Sequence, residues 1–378
     1  MRMANVKLLL RTLQLRGAGS MDPGSWTPAV LQSLLPLLHQ QGADLWLFRR
    51  LEDLGLLADE ERARVVRPLA RALSLRWMRI DEQTEAVIRV LSGLGIPFRL
   101  IKGVARRAAA QRYPYADAKS SSDVDVLVPE EAAETAWQGL LRHGCEVAAS
   151  PDGPRTHPLH FHLPPIWDAR RVAVEIHFST DRWVPPAEAW RRATVAADRV
   201  SWCGHELEIP SATELLWHGL THAFKSGPAA GYRLRAFLDA ASIMASAPIR
   251  WEVIRGRIHS GEVREQRWGE TSISAPAEVV GRWLGGAARL AGVELPAELR
   301  PAGSLSLEHL VRWRGLFDKV EPWTIQERLL DEGIRREGGW DPAATDPERS
   351  GYLRARHRAL TRVIRLSYSA WRGVLSPI

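Results

Sequence analysis

Cysteine is close to absent from this chain: Cys145 and Cys203 are the only two in 378 residues, and they stand far apart in no metal-ligand spacing. That excludes a disulfide framework and a thiolate zinc site, and both residues read as buried thiols in a reducing cytoplasm. No apolar run approaches the roughly 20 residues that a membrane-spanning helix needs, so no membrane is expected as a partner. Tyrosine is scarce, with five residues against sixteen tryptophans, and most of the indoles are expected to fill gaps between helices. Internal repeats and low-complexity segments are also missing, which excludes solenoids and compositionally biased arrays.

Acidic residues are missing from both ends. Arg2, Lys7, Arg11 and Arg16 precede the first acid, a bias that resembles a targeting peptide. Arg11 breaks the apolar stretch Val6–Leu15, however, and no small-residue cleavage pattern follows. Residues 1–24 are therefore expected to be a disordered or extension segment, with Met21 an equally good start. From Arg349 onward there are seven arginines and no acid. Arg354, Arg358, Arg362 and Arg365 recur at helical spacing, placing an arginine stripe on one face of a terminal helix. Its plain reading is a solvated or internally paired face; the alternative is contact with phosphate or RNA. The net charge of +7 is too modest to attract nucleic acid by itself.

What is present is an ordinary globular composition, 45% apolar and 25% charged, on a chain long enough for two or three compact regions. Residues 25–96 carry apolar positions at three- and four-residue steps and read as a helical region. Pro97 opens a different regime that extends to about residue 210. Phe98–Lys102 reads as a short strand closed by Gly103, Val104–Arg112 as a short helix and Tyr113–Ser122 as a loop. Ser122–Val128 is a second strand, Glu130–His143 a helix with acids in its first turn, Cys145–Ala149 a further strand and Arg171–Phe178 another. This order describes an α+β fold with a small mixed sheet, not a doubly wound one. From residue 211 to the end the chain turns helical again. Ser211 and Glu214 form a capping box, Arg233–Ala247 is a helix, and Ser260–Pro276 reads as a loop.

The most informative stretch is Ser122-Asp-Val-Asp-Val-Leu-Val128. Side chains alternate along a strand, so Asp123 and Asp125 share one face while Val124 and Val126 take the other. Two like charges side by side are costly to bury and call for a cation between them. A hard divalent ion such as Mg²⁺ suits carboxylate oxygens and keeps positions open for phosphate, which points to phosphoryl or nucleotidyl transfer. Along Arg171–Phe178, Glu175 lies opposite an apolar row of Val172, Val174, Ile176 and Phe178. If that strand joins the same sheet, Glu175 becomes a third carboxylate.

Lys102-Gly103, the acidic strand and Val174-Glu-Ile-His-Phe178 together resemble the nucleotidyltransferase superfamily typified by DNA polymerase β. The likeness is greater to its bacterial branch of uncharacterised nucleotidyltransferases, over roughly residues 30–260. Three features mark the chain within that pattern: Gly103 is followed by Val104, the gap to Asp123 is long, and Lys119 stands where the branch tends to carry arginine. The resemblance implies a nucleotidyltransferase core over 97–210, between the helical region 25–96 and a helical C-terminal region 211–378 with its basic end. It implies that Asp123 and Asp125 hold Mg²⁺ or Mn²⁺, and that Glu175 completes a second metal site or accepts the acceptor's proton. Gly103 would admit phosphates close to the backbone, and Ser121 and Ser122 would donate to phosphate oxygens. Lys102 or Lys119 would face the leaving pyrophosphate. The implied reaction moves a nucleoside monophosphate from a nucleoside triphosphate, expected to be ATP, to a hydroxyl or phosphate of a small molecule or peptide. A tRNA or other RNA end is the alternative acceptor, and a non-catalytic nucleotide- or partner-binding protein is the alternative class.

Other polar residues are weighed the same way. His157, His160 and His162 lack a cysteine partner and a zinc spacing, so substrate contact by His160 is the stronger reading. His218 and His222, four apart on a helix, lack the glutamate of a metalloprotease motif and read as a pair lining the cleft. Arg235 and Asp239 form an intrahelical pair, or Arg235 reaches the triphosphate as the resembled branch implies. One or two tryptophans would stack on a nucleobase.

Overall fold

The computed structural model describes residues 3–16, 22–118, 123–147, 161–169, 172–225, 233–266, 272–301 and 307–308. Four helices lead in: α1 (Met3–Leu13), α2 (Pro28–Gln41), α3 (Asp44–Asp53) and α4 (Glu60–Gly93). Thr27 caps α2 by accepting from the Val30 N–H at 3.2 Å, with Pro28 at its first turn and Gly42 ending it in the left-handed region. Asp59 caps α4 in the same way, accepting from Arg62 at 2.9 Å. Within the helical region α4 runs unbroken for 34 residues. No glycine or proline lies between Pro68 and Gly93 to stop it. The segment 1–24, expected to be disordered or an extension, instead contains α1. Val6, Leu9 and Leu13 are fully buried in the core, and Leu15 N–H donates to Leu290 O at 2.7 Å. Val6, Leu9 and Leu13 form an apolar stripe at helical spacing among the basic residues.

The central sheet has the order β1-β2-β5-β4-β3, with β1 Arg99–Leu100, β2 Asp123–Leu127, β3 Glu146–Val147, β4 Ile166–Trp167 and β5 Ala173–His177. Only β2 and β5 run parallel; the other pairs are antiparallel. The chain passes from β1 to β2 through α5 (Lys102–Ala108), and from β2 towards β3 through α6 (Glu130–Arg142). Val124, Val126, Val174 and Ile176 are fully buried and share one apolar cluster with Val87 and Leu91 of α4 and Ala136 and Leu140 of α6. On the opposite face Leu127 packs with Ile101 and with Ala193 of α7 (Pro186–Thr194). The fold is α+β, as the element order implies.

A hairpin of β6 (Asp198–Trp202) and β7 (His205–Ile209) follows. Its two-residue turn, Cys203-Gly204, has φ of 48° and 77°, the pattern of a type I′ turn. Cys203 is therefore exposed, against the expectation of two buried thiols, while Cys145 is buried. Four helices complete the described chain: α8 (Ala212–Lys225), α9 (Leu234–Ser246), α10 (Trp251–His259) and α11 (Ala277–Ala291). Phe237 of α9 stacks on Trp283 of α11 at 5.0 Å. The capping box of α8 is only half made. Ser211 Oγ accepts from Glu214 N–H at 3.4 Å, but the Glu214 carboxylate turns to Arg257 at 2.6 and 2.8 Å. The 260–276 stretch, read as loop, contains β8 (Arg264–Gln266) paired with β9 (Ser272–Ser274). No described helix is long and apolar enough to cross a membrane.

Candidate active site

The parallel register of β2 and β5 builds the site. Asp123 lies beside Ala173, Asp125 beside Glu175 and Leu127 beside His177. Neighbouring residues in register share a face, so Asp123, Asp125, Glu175 and His177 project together, away from the valine face. Ligand atoms of Asp125, Glu175 and His177 lie within 4.8 Å of one another.

Lys102 enters from the other side. The strand expected to run to Lys102 ends at Leu100, and Lys102 is the first residue of α5. Its φ is +54°, a left-handed conformation that a lysine adopts only under constraint. Two ion pairs anchor α5 behind it. Arg106 meets Asp239 of α9 at 2.8 Å, and Arg107 meets Asp81 of α4 at 2.7 Å while lying over the Trp77 ring. With its backbone fixed in this way, Lys102 aims Nζ at the carboxylates: 2.5 Å from Asp125 Oδ1 and 3.6 Å from Glu175 Oε2.

His177 completes the cluster. Its Nε2 lies 3.0 Å from Asp125 Oδ1 and 3.2 Å from Glu175 Oε2, while Nδ1 is buried with no partner among the described residues. A buried N–H without an acceptor is worse than a bare lone pair, so the hydrogen-bond network assigns a proton to Nε2, which donates to both carboxylates. A metal-ligating imidazole normally hands its second N–H to an acceptor, and Nδ1 has none. His177 thus bridges the two carboxylates, whose oxygens are the hard donor set that Mg²⁺ prefers.

The charges are strongly interdependent. Burial pushes the Asp125 carboxyl up, but Lys102 and His177 outweigh it and hold the group far below the usual carboxylate range. Glu175 is also lowered: burial opposes the shift, and His177 and Lys102 carry it. Burial pulls the Lys102 ammonium down, yet Asp125 and Glu175 raise it overall.

A second group of polar residues, mostly outside the sequence motifs, borders this cluster. His162 pairs with His177 through an isolated antiparallel bridge, and their rings lie 5.1 Å apart. Burial, then the neighbouring His177, lowers the His162 pKa. Phe161 stands 5.6 Å from the His177 ring, and Lys225 Nζ sits 3.4 Å above the Phe161 ring. Burial lowers the Lys225 amine to about 8, with Asp181 opposing the shift and Lys102 and Arg182 adding to it. On α8, His218 is buried and pushed well below its usual pKa, first by burial and then by Lys102. Residues 218, 222 and 225 fall on one helical face, a spacing that could have drawn Lys225 into the sequence reading.

The other expected residues divide as follows. Gly103 is buried as the second residue of α5, and the left-handed position falls on Lys102 instead. Arg235 lies in the first turn of α9, partly exposed, on the helix whose Asp239 meets Arg106. Lys119, Ser121, Ser122, His157, His160 and the arginines 354, 358, 362 and 365 lie outside the described residues.

The register thus sets carboxylates from two parallel strands against a lysine from a short helix. The family described as uncharacterised nucleotidyltransferase matches residues 28–269, and the chain belongs to it. It is accordingly a transferase of the nucleotidyl-transfer class, as the resemblance in the sequence implies. Among solved structures, the solution structure of the antibiotic-resistance factor ANT(2'')-Ia matches with 13% identity and a TM-score of 0.29, covering 48% of this chain and 97% of that one. A search of curated protein sequences returns no match.

Proposed function

We propose that the chain transfers a nucleoside monophosphate from a nucleoside triphosphate, with ATP the expected donor, to a hydroxyl or phosphate of a small-molecule or peptide acceptor in the cytoplasm, releasing pyrophosphate. The observation that carries this reading is the β2–β5 register, which sets Asp125 beside Glu175 with Asp123 on the same face. Asp123, Asp125 and Glu175 would hold Mg²⁺ or Mn²⁺. When bound, the ion supplies charge neutralisation at the phosphate oxygens.

The chain's own residues divide the remaining work. His177 holds the carboxylates at Asp125 and Glu175 by donating from Nε2 to both. Lys102, on the carboxylates, and Lys225, above the Phe161 ring that borders His177, would supply positive charge to a triphosphate. Glu175 is the group placed to take the acceptor's proton if it is not fully engaged by metal. Gly103, Lys119, Ser121, Ser122 and Arg235 remain proposed contacts to the donor nucleotide. The small-molecule or peptide acceptor is favoured because the described part of the central sheet presents acids and no basic groove. The RNA-end alternative rests on Arg354, Arg358, Arg362 and Arg365.

The test is incubation of the full chain with Mg²⁺ and each α-labelled nucleoside triphosphate. The expected result is pyrophosphate release or labelled product with wild type and loss of both in Asp123→Asn. Nucleotide binding without turnover would instead favour the non-catalytic reading.

A further inference from the structure

Lys102 holds a position that its backbone does not favour. A φ of +54° suits glycine, and the chain has a glycine one residue later at Gly103, yet the left-handed position itself carries lysine. The constraint is retained for the side chain. Lys102 Nζ stands 2.5 Å from Asp125 Oδ1, 3.6 Å from Glu175 Oε2 and 3.5 Å from His177 Nε2. Asp125 and Glu175 are also the carboxylates of the one side-chain group among the described residues close enough together to hold a metal ion. Burial completes the picture, because Asp125 is 1% exposed and the Lys102 side chain 17%, so water does little to screen the two carboxylates.

We propose that Lys102 is a resident cation that competes with the divalent metal for Asp125 and Glu175. Its ammonium neutralises the buried carboxylates until an ion arrives, and the ion binds only when Nζ withdraws. This inference rests on the metal-dependent reading above and deepens it. It assigns Lys102 a role in setting metal affinity, in addition to any contact with phosphate. The competition works against metal affinity, since a ligand's apparent Kd rises in inverse proportion to the fraction of time its site is open. If the ammonium occupies the carboxylates nine-tenths of the time, removing it tightens the metal about tenfold; at ninety-nine parts in a hundred, about a hundredfold. Removing a like charge from beside the ion acts in the same direction.

The experiment measures Mg²⁺ and Mn²⁺ binding to the full chain by calorimetry, and the metal-induced rise in Tm, without nucleotide. Wild type is compared with Lys102→Met, Lys102→Gly and Lys102→Arg. Lys102→Met removes the charge and keeps the left-handed strain; Lys102→Gly removes both and guards against a folding defect in the first variant. The expected result is a Kd for the divalent ion lowered at least about tenfold in both neutral variants, with a larger metal-induced Tm rise, and little change in Lys102→Arg. Equal affinity in wild type and both neutral variants would overturn the competition while leaving the metal-dependent reading intact. Weaker binding in the neutral variants would also overturn it, because Lys102 would then be assisting the ion. No binding in any of the four proteins would overturn the competition and the metal-dependent reading together.

Discussion

Replacing Asp125 by asparagine tests whether the site is held together as a charge cluster or merely assembled from adjacent strands. Asp125 is 1% exposed, and its Oδ1 accepts from Lys102 at 2.5 Å and from His177 Nε2 at 3.0 Å. Breaking a buried ion pair by removing one partner costs roughly 3–5 kcal/mol, because the other charge is left buried and uncompensated. Here the compensation is incomplete but not absent, since Glu175 remains 3.6 Å from the ammonium. The lower end applies, about 3 kcal/mol. For a chain of 378 residues that is a fall in Tm of roughly 4 °C. Asp123 is partly exposed at the start of β2, so its asparagine variant should stay within about 1 kcal/mol of wild type. Both variants should lose at least about 100-fold in nucleotidyl transfer, a barrier change of roughly 2.7 kcal/mol. Urea unfolding at pH 7 in a chelating buffer separates the two residues, and Asp125→Asn combined with Lys102→Met should recover part of the loss, since the orphaned ammonium is gone. An Asp125→Asn protein as stable as wild type would refute the argument that Lys102 and Asp125 are a coupled buried pair.

Two further predictions concern protons. Lys225 should show amine reactivity with a midpoint near pH 8, read by acetylation and mass spectrometry, and Asp181→Asn should lower that midpoint because Asp181 opposes the shift. As the unfolded amine titrates near 10.4, the unfolded chain binds more protons between about pH 8 and 10.4, so this residue makes stability rise with pH there; a midpoint near 10.4 would contradict the burial. His218 stays neutral in the folded protein well below the ordinary histidine pKa of about 6.5, so its contribution is intact above that pH and is lost as pH falls below it, by at most about 1.4 kcal/mol per pH unit. His162, lowered in the same direction, adds to the slope, and His218→Gln should flatten it by up to one proton in unfolding measured from pH 7 to 5. An unchanged slope would mean that His218 titrates normally.

The parts of the fold that were legible are those where local pattern and tertiary demand agree. Strand β2 announces itself because Val124, Val126 and Val128 must face a core and the aspartates cannot, and α6 follows from acids in its first turn and an apolar stripe. The failures lie where a tertiary partner overrides the local signal. The apolar neighbours Leu100 and Ile101 extend the strand pattern to Lys102, whereas the ion pairs of Arg106 and Arg107 hold the last turn of the short helix that Lys102 opens. Glu214 has the spacing of a capping-box acid, but the guanidinium of Arg257 offers it a bidentate partner that a backbone N–H cannot match. In the lead-in α1 the basic residues mimic a targeting or extension segment, while Val6, Leu9 and Leu13 mark one buried helical face.

The site follows the same division. Asp123, Asp125 and Glu175 can be read from alternation in two strands, because a strand fixes which way each side chain points. Alternation says nothing about which groups approach from elsewhere. His177 stands in the motif, but its contact with both carboxylates depends on the parallel register, which no single strand encodes. Lys225 depends on α8 running back past Phe161. Most of all, sequence marked Lys102 as a positive charge near phosphate without revealing that its resting place is on the carboxylates themselves. A motif of acids says that a cation is needed; only the fold says that the chain already provides one.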